Sequence, residues 1–420
     1  MQETRSLIVQ RFPALASRDF ILFLVGQFVS VTGTWMQNTA QPYLAYRISG
    51  RPLDLGLIGF AATLPTLLLA LPAGVLVERW DKRRTVIIFQ FIMSLQAFGL
   101  AALTFTGQIQ IWHIAAFALL FGTASAVEIT ARQAMLIELA GREALPSAIA
   151  LQTTAFNVGR VVGPLVAAWL LTSTGTEGSV FLVNGVSFLF VIAGLLIART
   201  RYKVPRELEA RKGLALELRE GLAYIRRNSV VASIILMAAL IGFFGFPLVQ
   251  QIPALARDVL KTTGDTEAII AERTSHLYAA QGAGALTAAL LATYMSSSRN
   301  KGFMVALGQV AFILPLIALA FVSNLNVSLV LLIFIGWGTV TQLVSMNTLI
   351  QVAVPNGLRG RVFSVYLWAL QGVAPFGSLL IGWLAQNWGM PFAALVGGLV
   401  SLLSIGVLHL VSPGVRRAQA

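Results

Sequence analysis

The 420-residue chain contains no cysteine and only three histidines. Without cysteine there is no disulfide framework, no thiolate metal site and no cysteine nucleophile. His113, His276 and His409 share no metal-ligand spacing, and no Ser-His-Asp, HExxH or paired-acid pattern occurs. Charge is scarce as well: Asp, Glu, Lys and Arg make up 11 % of the residues, where a soluble domain carries ~25 %. There is no Walker-type GxxxxGK(S/T) sequence and no polar segment long enough for a nucleotide-hydrolysing domain. These absences argue against an enzyme, a metal or other cofactor, and a nucleotide-driven pump.

What the chain has is apolar length. Residues of the AVILMFWYC set make up 57 % of the sequence, and the mean hydropathy is +0.79. That much apolar surface cannot be hidden in a water-soluble core, so the composition predicts a polytopic membrane protein. A bilayer core of ~30 Å needs ~20 mostly apolar helical residues. Twelve stretches qualify, near 20–46, 53–77, 85–106, 109–130, 146–172, 179–198, 230–251, 272–294, 303–323, 326–348, 362–386 and 390–411. The first 18 residues lack a long apolar run and a small-residue cleavage site, and they read as a retained lead-in.

The net charge of +13 would suit a nucleic-acid binder, but the bases are sorted by membrane side instead of gathered into a groove. With both termini cytoplasmic, every Lys and Arg falls inside except Arg47, Arg51, Arg257, Lys261, Arg273 and the mid-helix Arg160. The polar stretch 199–229 divides the chain into segments 1–198 and 230–420, six spans each. Its leucines suggest a helix lying along the inner membrane surface. The halves echo one another: Gly159-Arg-Val-Val-Gly163-Pro164 in the fifth span has a counterpart in Gln371-Gly-Val-Ala-Pro375-Phe-Gly377 of the eleventh.

Gly74-Val-Leu-Val-Glu78-Arg79-Trp-Asp81-Lys82-Arg83-Arg84, between the second and third spans, resembles the signature loop of the major facilitator superfamily. Gly159-x-x-x-Gly163-Pro164 is similar to that superfamily's antiporter motif. The Arg-x-x-Gln-Gly that the family often has in its fourth span is absent. Gly33-Thr-Trp35-Met36-Gln37-Asn38-Thr-Ala40, Pro52-Leu-Asp-Leu-Gly56-Leu-Ile-Gly59 and Arg359-Gly360-Arg361 resemble the enterobactin-exporter and macrolide-efflux branch, the transmembrane secretion effectors. The resemblance implies an all-α fold of two six-helix bundles around a central cavity, working by alternating access in a bacterial inner membrane, as a monomer and with proton antiport.

Individual residues carry readings of their own. In the loop, Gly74 allows close helix approach, and Glu78 among Arg79 and Arg83 suits an inner-gate latch. By resemblance its partner is the start of the eleventh span, and Gly163 and Pro164 belong to the same gating set. Purely topogenic charges are the alternative. Arg160 sits near mid-membrane, where an arginine costs at least ~2.5–3.5 kcal/mol and must face a wet cavity or a partner. It either anchors an anionic or carbonyl-rich substrate or is clamped to helix carbonyls or Asn157. Glu128 is the one carboxylate well inside a span, and so the candidate proton carrier, although Arg132 one turn away suits a simple ion pair.

A polar stripe of Gln27, Ser30, Thr34, Asn38 and Gln41 follows one face of the first span. Gln250, Gln281, Trp337, Thr341, Trp368 and Gln371 extend it in the second half. Together these describe a cavity of amides, hydroxyls and aromatics suited to an amphipathic ligand. Helix glue is the alternative for each. The expected function is export of amphipathic small molecules such as drugs, siderophores or related metabolites, with protons and membrane lipids as the other partners. A lipid or lysolipid flippase on the same fold is the first alternative and a membrane-embedded enzyme the second.

Overall fold

The computed structural model describes residues 12–198, 214–294, 300–412 and 414, and among them it is helical with no strand. The side chains of Gly74, Glu78 and Arg79 lie outside the described residues, so the loop latch is not addressed there. The helices are α1 Arg18–Ser49, α2 Pro52–Arg79, α3 Lys82–Phe105, α4 Ile111–Ala140, α5 Leu145–Thr174 and α6 Glu177–Ile197. After a short polar helix, α7 Leu214–Arg227, come α8 Ser229–Gln250, α9 Glu267–Tyr294, α10 Lys301–Leu319, α11 Leu325–Ala353, α12 Leu358–Trp388 and α13 Met390–Val411. Eleven of these are long and apolar enough to cross a membrane. The twelfth expected span lies in α9, 28 residues long but charged at its start and rich in Ala thereafter, with Gln281, Gly282 and Gly284 at its middle. Large apolar side chains such as Trp169, Phe190 and Leu403 stay exposed on the helix faces, as lipid contact requires and a soluble fold would not tolerate.

The chain forms two compact units, 1–44 with 68–207 and 45–67 with 208–420. Within the first, Asp81 starts α3 by accepting a hydrogen bond from the Arg84 amide at 2.8 Å, and Gly175 closes α5 in the left-handed region at φ +69°. Arg83 donates to the Leu196 carbonyl at 3.1 Å, placing a cation on the C-terminal turn of α6, and Lys82 pairs with Glu138 at 2.7 Å. Contact between α1 and α5 depends on glycine. A Cβ on Gly163 would meet Trp35 Cβ at 2.5 Å, and one on Gly159 would meet Val31 at 2.9 Å.

The second unit repeats that device. Pro247 of α8 has no N–H to return to the Phe243 carbonyl, and the preceding turn widens so that the Phe246 amide donates to Ile241. Gly377 of α12 lies against that same Phe243 carbonyl, and Gly242 of α8 against the Leu370 carbonyl. The two echoed sequence motifs thus do the same thing: in each unit a Gly/Pro segment seats one helix on another at backbone distance. Residues 45–67 are tied into this unit by the Gln251 amide, which donates to the Pro52 carbonyl at 3.3 Å, and by Gly59, which lies against Gln250.

Between α8 and α9, Arg273 grips Asp265 through two hydrogen bonds of 2.7 and 2.9 Å and also donates to the Ala256 carbonyl. Thr262 adds its amide and hydroxyl, and together these partners hold the Asp265 carboxyl well below the usual carboxylate range. Because the folded-state pKa is depressed, this contribution to stability is complete above the ordinary Asp value of ~3.9 and is lost as pH falls below it. The melting temperature of the protein minus that of Asp265→Asn is therefore expected to be constant near neutral pH and to shrink below about pH 4. A difference that does not change with pH would contradict the assignment.

Candidate substrate and coupling site

In the first unit, Arg160 lies one helical turn before Pro164, which withholds the N–H that would otherwise reach the Arg160 carbonyl. Its guanidinium carbon is 5.3 Å from the centroid of the Trp35 ring, and Trp35 meets Phe156 edge-on at 5.6 Å. The contact is a cation–π interaction, and the small Gly159 and Gly163 let α1 approach closely enough to make it. The Arg160 Nε is buried without a hydrogen-bond partner, and among the described residues no carboxylate pairs with the guanidinium. Asn157 donates instead to Thr153 at 2.8 Å on its own helix. The arrangement is a cation over one aromatic face, with its Nε donor unused.

The polar face of α1 divides into two networks. Gln37 donates to Gln41 at 3.0 Å and to Gln96 at 3.3 Å, and it accepts from Asn184 at 2.7 Å. Gln41 reaches the Ile114 carbonyl at 3.4 Å. Four helices (α1, α3, α4 and α6) are joined by these amides. Nearer the start of α1, Ser30 meets Gln90 at 3.5 Å, and Gln90 donates to Glu128 at 3.0 Å. Arg132 also donates to Glu128, at 3.0 and 3.3 Å. Glu128 is 3 % exposed, and the side chain of its partner Arg132 is 14 % exposed. The neighbouring Gln27 is buried with its Oε1 unpartnered. Thr34 spends its hydroxyl on the Ser30 carbonyl at 2.9 Å, and Asn38 is exposed, one turn before Pro42.

In the second unit, Gln250 accepts from Ser378 at 3.2 Å, and Gln281 is buried where Gly336 of α11 meets its backbone carbonyl. Trp337 and Thr341 line a small cleft among α9, α10 and α11, together with Leu291, Lys301 and Ser345. Trp368 and Gln371 are exposed on α12 just before its break, where Pro375 withholds the N–H from the Gln371 carbonyl. The structure therefore brings Glu128 and Arg132 together, and Trp337 with Thr341. It places Gln41 and Gln250 in helix-joining hydrogen bonds. Trp35, Phe156, Gln90, Gln96 and Asn184 were not among the residues chosen from sequence. Only Trp35 carried a signal, as part of the Gly33–Ala40 run that resembles the exporter branch.

Helical bundles in a membrane fold, a buried acid–base pair and a mid-helix arginine over an aromatic ring are parts that a transporter uses. In fold the chain is similar to a D-xylose–proton symporter, which superposes with a TM-score of 0.72 at 14 % identity, covering 93 % of this chain and 96 % of its own. Residues 10–419 match the transmembrane secretion effector family, so the chain belongs to that family of major facilitator transporters and is not an enzyme. It is 25 % identical over 404 residues to the multidrug efflux pump Tap of Mycolicibacterium fortuitum, covering 94 % of this chain and 96 % of Tap. It is likewise 25 % identical over 411 residues to the enterobactin exporter EntS of Escherichia coli O1:K1 / APEC, covering 97 % and 91 %.

Proposed function

We propose that this transporter exports amphipathic small molecules, of the drug or siderophore kind, by alternating access and in exchange for protons. It would do so as a monomer in a bacterial inner membrane, with both termini cytoplasmic. Segments 1–198 and 230–420 would be the moving halves, with 199–229 as their link. The observation that carries the reading is Arg160: a mid-helix guanidinium with an unpartnered buried Nε, set over the Trp35 ring that Phe156 meets edge-on. Keeping such a group in a membrane helix is costly unless something arrives to use it. An aromatic, anionic or carbonyl-rich ligand would stack on the rings and accept its hydrogen bonds. Glu128 would be the proton carrier, Arg132 its counter-charge and Gln90 its neutral support. Gly163 and Pro164 would let α5 rock on α1.

Equilibrium binding of a catecholate siderophore and a set of anionic and neutral amphipathic dyes tests this reading. Arg160→Gln is expected to weaken the anionic members on the order of ten- to a hundred-fold, matching a charged hydrogen bond worth ~1.5–3 kcal/mol, and to leave neutral dyes within about two-fold. Equal affinities for all members in both proteins would remove Arg160 from the substrate site.

A further inference from the structure

The short helix α7 has two unlike faces. Gly221, Tyr224, Ile225 and Asn228 recur at helical spacing on the side that docks. Gly221 lies 3.2 Å from Arg361 Cβ by its absent side chain, Tyr224 donates to the Ala353 carbonyl at 3.1 Å, and Asn228 caps α8 through the Val231 amide at 3.2 Å. Of the two acids of α7, Glu220 is paired with Arg361, and Glu217 falls four residues before Gly221, at the spacing of the docking side. Arg219, Leu222, Ala223 and Arg226 repeat at the same spacing on the other side, continued by Arg227, and all five are exposed. None of the three arginines makes an ion pair among the described residues. The outer face is thus basic with one large apolar side chain, and neither acid of the helix falls at its spacing.

Position identifies the partner. Asn228 is the cap of α8, and the apolar run begins at Ser229. Arg226 and Arg227 therefore sit within about one turn of the first membrane-spanning residue, at the depth of lipid headgroups. We infer that the Arg219–Leu222–Arg226–Arg227 face of α7 is a binding site for anionic phospholipid headgroups of the bilayer surface. The phosphates are taken by the guanidiniums, and Leu222 is inserted at the acyl boundary. Because its other face holds Arg361 and Ala353, the bound helix ties lipid composition to the connection between α11 and α12.

The absence of cysteine makes the test direct. Ala223→Cys in the full-length protein, labelled with an environment-sensitive dye, is placed in phosphatidylcholine membranes containing increasing phosphatidylglycerol. A blue shift that grows with phosphatidylglycerol and is reversed at 1 M salt, where the screening length falls to ~3 Å, is expected. A basic residue at an anionic surface contributes roughly five-fold to association, so at a fixed phosphatidylglycerol content Arg219→Gln lowers the bound-to-free ratio of the helix about five-fold, and Arg226→Gln with Arg227→Gln about twenty-five-fold. The unaltered arginine set with its salt titration stands independently should the double variant fold poorly. A dye that ignores phosphatidylglycerol overturns the assignment. So does a shift that follows protein concentration in pure phosphatidylcholine, which would give the face to a second copy of the chain.

Discussion

Glu128→Gln is expected to abolish uptake driven by a pH gradient while leaving substrate binding in place. Glutamine keeps the shape of the side chain and can still bond to Gln90, which sits 3.0 Å from the carboxylate, but it carries no exchangeable charge. Coupling requires a site whose charge alternates, and Glu128, inside a span, combines near-complete burial with a cation that can be released when the acid is neutralised. The variant also leaves Arg132 without its partner. Removing one member of a fully buried pair costs ~3–5 kcal/mol, and Arg132 at 14 % exposure retains some access to water, which sets the loss at the low end. Paired Glu128→Gln and Arg132→Gln is therefore expected to recover thermal stability without recovering gradient-driven transport. A single Glu128→Gln protein that still concentrates substrate under a pH gradient, measured with counterflow as the control, would assign the proton to another group.

The second large effect is structural. A methyl group at Gly377 would come 2.0 Å from the Phe243 oxygen and 2.7 Å from its carbon, so backbone must move against backbone. Overpacking of this kind costs ~1–3 kcal/mol or more, and α8 and α12 cannot separate locally because Gly242 is seated just as closely on Leu370. Gly377→Ala should lower the melting temperature by several degrees, about ΔΔG divided by the unfolding entropy. Gly406, which has open space around it, provides the control: Gly406→Ala should be neutral or mildly stabilising, because glycine costs a helix ~1 kcal/mol relative to alanine. Equal melting temperatures for the two variants would refute the close contact between α8 and α12.

The sequence allowed the membrane class, the order of the helices and the two Gly/Pro segments to be read, because each leaves a local signature. Apolar length marks a span, and small residues four apart mark a close crossing, as Gly159 and Gly163 do against α1. The stripe on α1 was also readable as an inward face, but its division was not. Whether Gln37 joins helices or meets a ligand depends on Gln96 and Asn184, which are 59 and 147 residues away along the chain. Periodicity on one helix cannot report that. The same limit applies to Arg160. Its place in the membrane followed from counting residues, whereas the Trp35 ring above it depends on how closely α1 and α5 approach. Arg83 illustrates a competing use of charge: expected in a gate, it is found donating to the Leu196 carbonyl at the end of α6, a position decided by the end of a helix distant in sequence. The widened turn before Pro247 was unreadable for a different reason, since many prolines in membrane helices leave the preceding turn regular.

Transport by the purified protein in proteoliposomes under an imposed pH gradient tests the central claim most directly, with amphipathic dyes, a catecholate siderophore and a labelled lysolipid offered in parallel. Movement of a dye or the siderophore that follows the gradient, collapses with a protonophore and is lost in Glu128→Gln is the predicted result. Lysolipid movement alone, indifferent to the gradient, would contradict it.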